Sequence, residues 1–275
     1  MITGILINDQ WIDLYDQIQT CFSYPDHELT VAPAAVPTVV KVTYELDRAI
    51  RNSPMSDLIS PDGISLTGTW HPFLHQDQIF ELTAEIPLNF EAISEAEEIA
   101  TEIKSDRKTT TFSFKHPLSG INFIAGPFLV EKSGFGDDRE LYTYFFAEDK
   151  DLAAEYRQKT LDYLARYEKL IGPFPYKRFS VVENRLPTGY AMPTFTVLGQ
   201  SVIKLPFITD TSLGHETLHQ WFGNSVRTDP ADGNWAEGLV TMLADALYQS
   251  EQGNGRECRK NQMIKHHSYV HPDNE

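Results

Sequence analysis

Apolar positions change their spacing part-way along the chain. Up to about residue 130, β-forming residues alternate or cluster in the short runs KVTYEL, GISLTGTW, QIFELTAEIPL, TTTFSFK and INFIAGPFLVEK, with Pro, Gly, Asp and Asn at the breaks. That pattern predicts successive strands of an antiparallel sheet or sandwich. One charged segment among them, ISEAEEIATEI, reads as a helical turn or an acidic loop. KSGFGDDRE, from Lys132 to Glu140, is rich in Gly and Asp and reads as the joint between two domains, residues 1–132 and 139–275. Beyond it strands and helices mix. LYTYFF predicts a strand, and AEDKDLAAEYRQKTLDYLARYEKLIG a long amphipathic helix with Leu152, Tyr156, Leu161, Leu164 and Leu170 among its apolar positions. Gly172-Pro173 stops it. FSVVEN and SVIKLP predict two more strands, followed by helices over SLGHETLHQWF and NWAEGLVTMLADALYQS, the second with Leu239, Val240, Leu243 and Leu247 as its buried stripe. The expected class is α+β, a β-rich first half followed by a mixed second half.

A chain of 275 residues can hold two modest cores. Its net charge of −16 argues against nucleic acid and against anionic membranes, both of which need a basic face. Cys21 and Cys258 fall in different expected domains, so no disulfide is expected and a reducing compartment is favoured. The opening MITGILINDQWIDLYDQ has neither a basic nor a long apolar region of the signal-peptide kind, and no run is long enough to span a bilayer. The expectation is a cytoplasmic protein with no membrane insertion.

Chemistry concentrates between Asp210 and Gly238. His215, Glu216 and His219 form H-E-x-x-H within an expected helix. Residues four apart lie on one helical face, so both imidazoles can meet one zinc ion, and Glu216 can take a proton from water activated there. The bland alternative is a surface helix with two solvated histidines. Against it stand a cap at Asp210 or Ser212, apolar cover from Leu213, Leu218, Trp221 and Phe222, and a Gly223-Asn224 stop. Zinc needs a third protein ligand. Glu237, in the first turn of the next helix, offers one, although with Asn234 it also reads as a capping box. Asp245, two turns on, can orient a ligand histidine. His71 and His75 are separated by Pro72 in a strand context and do not share a helical face, and His266, His267 and His271 have no carboxylate or Cys near them.

HETLHQWFGN followed by NWAEGL resembles the signature of the aminopeptidase N and leukotriene hydrolase family, the gluzincins. The resemblance implies a β-domain, which WHPFLHQDQIFELTAEIPLNFEAISEAE also resembles, followed by a thermolysin-like zincin domain. It implies zinc on His215, His219 and Glu237, Glu216 as general base and a peptide substrate. The His219–Glu237 gap is one residue shorter than in most members, a change that a loop absorbs.

Two departures follow from the same resemblance. PTGYAMPTFTVLG stands where the family carries a cleft-lining G-x-M-E-N strand; Ala191 and Met192 fit, but Pro193 replaces the Glu that holds the substrate's free amine and Thr194 replaces the Asn. Proline cannot accept a hydrogen bond from an amine through its side chain. An ordinary edge strand is the competing reading of that stretch. The family's oxyanion-stabilising tyrosine also has no match: 38 residues follow Glu237 (275 minus 237), and Tyr248 and Tyr269 do not stand in its position. The C-terminal part is therefore expected to be missing. The reading is a zinc-dependent peptidase; a non-catalytic zinc-containing binding protein, or an inactive fragment of a longer peptidase, competes with it.

Overall fold

The structure, a computed structural model, describes residues 2–7, 10–11, 38–45, 57–68, 70–72, 76–229, 231 and 233–269. Cys21, His75 and His271 lie outside them. The chain forms two compact units, one of residues 1–52 and 69–73 and one of residues 53–68 and 74–275. In the first, β1 (Ile2–Ile7) pairs antiparallel with β2 (Gln10–Trp11) and β3 (Val40–Tyr44).

The described residues of the second unit form three sheets. β4 (Asp57–Ser60), β5 (Gly63–Leu66), β10 (Phe123–Gly126) and β7 (Glu91–Ile93) lie side by side in that order, all antiparallel. β6 (Glu81–Pro87), β9 (Arg107–Ser113) and β8 (Glu98–Lys104) form an antiparallel trio. ISEAEEIATEI is loop only over residues 94–97, and none of it is helix: its second half is strand β8, in register with β9 from Glu98↔Ser113 to Lys104↔Arg107. Thr101 and Thr110 hydroxyls meet across the pair at 3.2 Å, a cross-strand contact that outweighs the helix preference of the Glu and Ala residues.

The third sheet positions the chemistry. Its order is β11 (Phe128–Phe135), β12 (Arg139–Phe146), β13 (Arg178–Asn184), β15 (Phe195–Gly199) and β14 (Gly189–Met192). β12, β13 and β15 run parallel, and the outer strands antiparallel. Lys132–Glu140 lies in the β11–β12 hairpin and its turn. Between β12 and β13 the chain makes a 3-10 turn (Ala147–Leu152) and helix α1 (Ala153–Leu170), which buries Tyr156, Tyr163, Leu164 and Tyr167. A core of Ile93, Ile124, Phe128, Tyr144, Phe146, Val182, Met192, Phe195 and Val197 joins the four- and five-stranded sheets. Each such side chain taken from water stabilises the fold by roughly 1.5–3 kcal/mol.

SVIKLP is not a strand. Gln200–Ile203 form a short helix, α2, because Gln200 Nε2 donates to Asp149 Oδ2 at 2.7 Å and to Glu148 Oε1 at 3.1 Å, which turns the chain away from the sheet as β15 ends. Nearby, Glu183 is fully buried and its Oε2 accepts from the Phe146 N–H at 2.7 Å. Burial, with Asp149 adding, pushes its carboxyl up to about 8. The folded chain therefore keeps a proton that the unfolded chain, with a carboxyl near pKa ~4.3, releases, so this group's contribution to stability falls as pH rises from about 5 to 8. Glu183→Gln keeps the acceptor and abolishes that fall. Urea unfolding at pH 9 is expected to find the variant more stable by on the order of 2 kcal/mol, with the two proteins equal near pH 4.

Candidate metal centre

Helix α3 (Ser212–Leu218) is too short to persist by propensity alone and is held by its buried face of Leu213, Gly214, Thr217 and Leu218. Asp210 and Ser212 do not cap it. Thr211 occupies the cap position without a side-chain bond, and Asp210 pairs instead with Lys159 of α1. α1 approaches closely: a Cβ on Gly214 would stand 2.8 Å from the Tyr163 ring, so only glycine fits. Tyr163 and Tyr167 hydroxyls donate to the Thr209 and Gly214 carbonyls at 2.8 and 3.0 Å. Trp221 Nε1 donates to the Gly172 and Pro173 carbonyls, both at 3.1 Å, and closes the far end.

With that face buried, His215, Glu216 and His219 point the other way. The next helix begins as α4 (Trp235–Val240), passes through a π segment (Thr241–Ala246) and continues as α5 (Leu247–Glu251). Asn234 caps this helix, its Oδ1 accepting from the Glu237 N–H at 3.4 Å, while the Glu237 carboxylate faces the two imidazoles. His215 Nε2 lies 3.1 Å from Glu237 Oε1, His219 Nε2 lies 3.2 Å from Glu237 Oε2, and the two Nε2 atoms are 3.2 Å apart. Tetrahedral zinc with bonds of about 2.0–2.1 Å separates its ligands by about 3.3 Å, so the spacing fits. It is the one such His/Glu cluster among the described residues.

Both tautomers are set from behind. His215 Nδ1 donates to Asp245 Oδ2 at 3.2 Å and His219 Nδ1 donates to the Phe222 carbonyl at 3.0 Å, since neither acceptor can donate. With Nδ1 protonated, both Nε2 lone pairs face the Glu237 carboxylate, three acceptor atoms of the kind a shared cation would satisfy. In an unbroken α-helix Asp245 would be turned about 80° from Glu237, and the wider π turn swings it back towards His215. For His215, burial works downward, but the Asp245 bond and charge, with Glu216 and Glu237, prevail and raise it. His219 is lowered, by burial first, with His215 adding to the effect. Burial pushes Glu216 up to about 7, with Glu237 and Asp245 adding and His215 opposing.

A cavity of about 400 Å³ opens on this cluster, lined by Gly189, Tyr190, Ala191, His215, Glu216, His219, Gly223, Asn224 and Glu237. Of the three residues expected to line a cleft on β14, Ala191 does so. The Met192 side chain belongs to the core, and Pro193 sits in the β14–β15 turn. Sequence reasoning missed Tyr190, which lines the cavity half-exposed, and Gln220. Gln220 is fully buried; its Nε2 donates to the Met192 carbonyl at 3.0 Å and its Oε1 accepts from the Thr194 N–H at 2.9 Å. Thr194 has φ 75°, unusual for a β-branched residue, and is pinned there by Gln220 and by the Ala96 N–H on its Oγ1 at 3.3 Å. A Pro at the second turn position was a signal for this turn, but nothing in the spacing announced Gln220.

No protein-family model matches the chain, and no curated protein does. Among solved structures it is similar to the M1 zinc metallopeptidase from Deinococcus radiodurans, at 17% identity and a TM-score of 0.70, covering 98% of this chain and 65% of that one. It is similar also to Legionella pneumophila aminopeptidase A in complex with aspartic acid, at 12% identity and a TM-score of 0.71, covering 91% of this chain and 32% of that one. A two-domain M1 zinc metallopeptidase mutant bound to L-arginine matches at 16% identity and a TM-score of 0.68, over 96% of this chain and 64% of that one. The chain therefore spans less than two thirds of the length of the first structures it matches, and over that span it is built on the fold of the M1 zinc metallopeptidases.

Proposed function

We propose that the chain is a zinc-dependent metallopeptidase, with one zinc ion held by His215, His219 and Glu237 and Glu216 as general base. The observation that carries this is the convergence of three candidate ligand atoms at 3.1–3.2 Å, each imidazole having an acceptor behind its Nδ1, with Glu216 on the same cavity wall. When bound, zinc supplies the Lewis acidity that activates water and polarises a carbonyl. Glu216, raised by burial, would serve as the base, taking a proton from water in the cavity and handing it to the leaving amine. Asp245 keeps the His215 proton on Nδ1. The same reading divides the chain into a β-rich domain, 1–132, and a thermolysin-like domain, 139–275. It places the protein in the cytoplasm and takes peptides as substrates, without nucleic acid. No helix among the described residues is long and apolar enough to cross a membrane.

The amine-anchoring Glu is replaced by Pro193, and the cavity's two glutamates are both assigned to the centre. Peptides with and without N-terminal acetylation are therefore expected to be cleaved within about threefold of one another. One observation favours a second reading, a non-catalytic zinc-containing protein. The Tyr248 hydroxyl meets that of Tyr167 at 2.7 Å, under the Arg166 guanidinium, so it is not turned to the cavity. Loss of an oxyanion donor costs about 3 kcal/mol, a hundredfold or more in rate. A quenched-fluorescence peptide library decides: slow cleavage, abolished by chelation and restored by zinc, is the expected result. Zinc-loaded protein that cleaves nothing leaves the second reading.

A further inference from the structure

β14 is the outer strand of its sheet, and Gly189 and Ala191 line the cavity beside the candidate metal ligands. The Gly199 N–H donates to the Thr188 carbonyl at 2.6 Å, which makes these two residues a hydrogen-bonded pair. Antiparallel pairs alternate between bonded and non-bonded. Tyr190 and Met192 therefore also turn their N–H and C=O towards β15, while those of Gly189 and Ala191 point away from it. An extended peptide pairs with an outward edge of that kind. Whether it can reach the metal centre at the same time depends on where the edge stands relative to His215 and His219, which belong to another element.

Gln220 joins the two. It follows His219 directly, and its own backbone is fixed: its N–H donates to the Thr217 carbonyl and its carbonyl accepts from the Ser225 N–H, both at 3.2 Å. Its buried amide donates to the Met192 carbonyl, next to Ala191, and accepts from the Thr194 N–H. The turn between β14 and β15 would not hold its shape unaided. Pro193 at its second position and a positive φ at Thr194 make it type II, whose third position favours Gly. Turning over the Pro193–Thr194 peptide would give the type I form, which suits Thr and relieves the strain. The Thr194 N–H belongs to that peptide, so its bond to Gln220 Oε1 opposes the change. The Ala96 N–H on Thr194 Oγ1 and the Ser180 N–H on its carbonyl, at 3.3 and 2.9 Å, also hold Thr194, but to strands and loops of the sheets. Of these bonds only those of Gln220 refer the turn to the histidines.

We propose that Gln220 is a positioning residue, which holds the outward edge of β14 where a peptide can pair with the strand and present a carbonyl to the metal centre at once. It touches neither. The inference rests on the peptidase reading and deepens it, by naming what aligns the substrate-binding strand with the centre. Calorimetry on zinc-loaded protein tests it with two ligands. Acetohydroxamate reaches the metal centre alone, and N-acetyl-trialanine hydroxamate adds a backbone able to pair with β14. Wild type is expected to bind the peptide about tenfold or more tighter, the worth of two strand hydrogen bonds. Gln220→Met keeps the volume and removes both bonds. Its zinc content and acetohydroxamate affinity stay at wild-type levels, while the peptide's advantage falls to about twofold or less. Thr217→Val removes a buried bond within α3, from Oγ1 to the Leu213 carbonyl at 2.7 Å, and none to the strand, so it keeps the advantage. That control separates alignment from a general loss of stability. Should Gln220→Met not fold, Gln220→Glu carries the same comparison, since it keeps the acceptor for Thr194 and loses the donor to Met192. A full advantage in the Gln220 variant overturns the inference, as does an equal loss for both ligands. A wild type that binds the peptide no better than acetohydroxamate overturns the peptidase reading itself, and the inference with it.

Discussion

His219→Ala protein is expected to carry no zinc after dialysis against metal-free buffer, where the wild type retains about one ion per chain. The substitution removes one of three ligand atoms that stand 3.1–3.2 Å apart, leaving a single imidazole and a carboxylate. Two protein ligands do not make a structural or catalytic zinc site. The helix itself should survive, because Leu213 and Leu218 are fully buried on its other face and the tyrosine hydroxyls of α1 hold its carbonyls. Asp245→Asn provides the graded comparison: the ligands remain, only the acceptor behind His215 is weakened, and zinc affinity drops about 10–100-fold. Elemental analysis reads both. Equal zinc in wild type and His219→Ala would remove the centre altogether.

Glu216→Gln is expected to keep its zinc and lose hydrolysis by about 10³-fold. Glu216 is not one of the three converging ligands, and the groups that shift its carboxyl act through burial and charge, with no hydrogen bond among them. An amide of the same shape therefore fits the place but cannot accept a proton. Stability supplies the control. In metal-free protein burial holds Glu216 near 7, above its unfolded value of about 4.3, so ionising it costs folding free energy as pH rises between those values. The amide escapes that cost, and the variant's unfolding midpoint at pH 8 should equal or exceed that of wild type. Equal cleavage rates in the two proteins would assign the base elsewhere.

The candidate metal cluster was legible because its parts are local. H-E-x-x-H needs one turn of helix, and Glu237 stands in the first turn of the next. Asp245 could be named but not aimed, since the π segment that turns it is a backbone event without a residue signature. SVIKLP misled because Val202, Ile203 and Leu205 look like strand residues, while the bonds that bend the chain come from Glu148 and Asp149, fifty residues earlier. In β8, Ile99 and Ile103 have helical spacing, yet Ile103 is 65% exposed and the segment is held by its pairing with β9. Gln220 was invisible for a further reason. Its significance lies in what faces it across the fold, and a linear pattern does not carry that.

Gln220 ties the β14–β15 turn to the end of the histidine helix with two bonds from one amide. The two banks of the groove are therefore riveted together at that end, and neither can yield to a bulky guest without dragging the other. Any widening has to happen at the opposite end, beside Gly189 and the half-exposed Tyr190 ring, so the gauge of what enters is set by a side chain that never touches it.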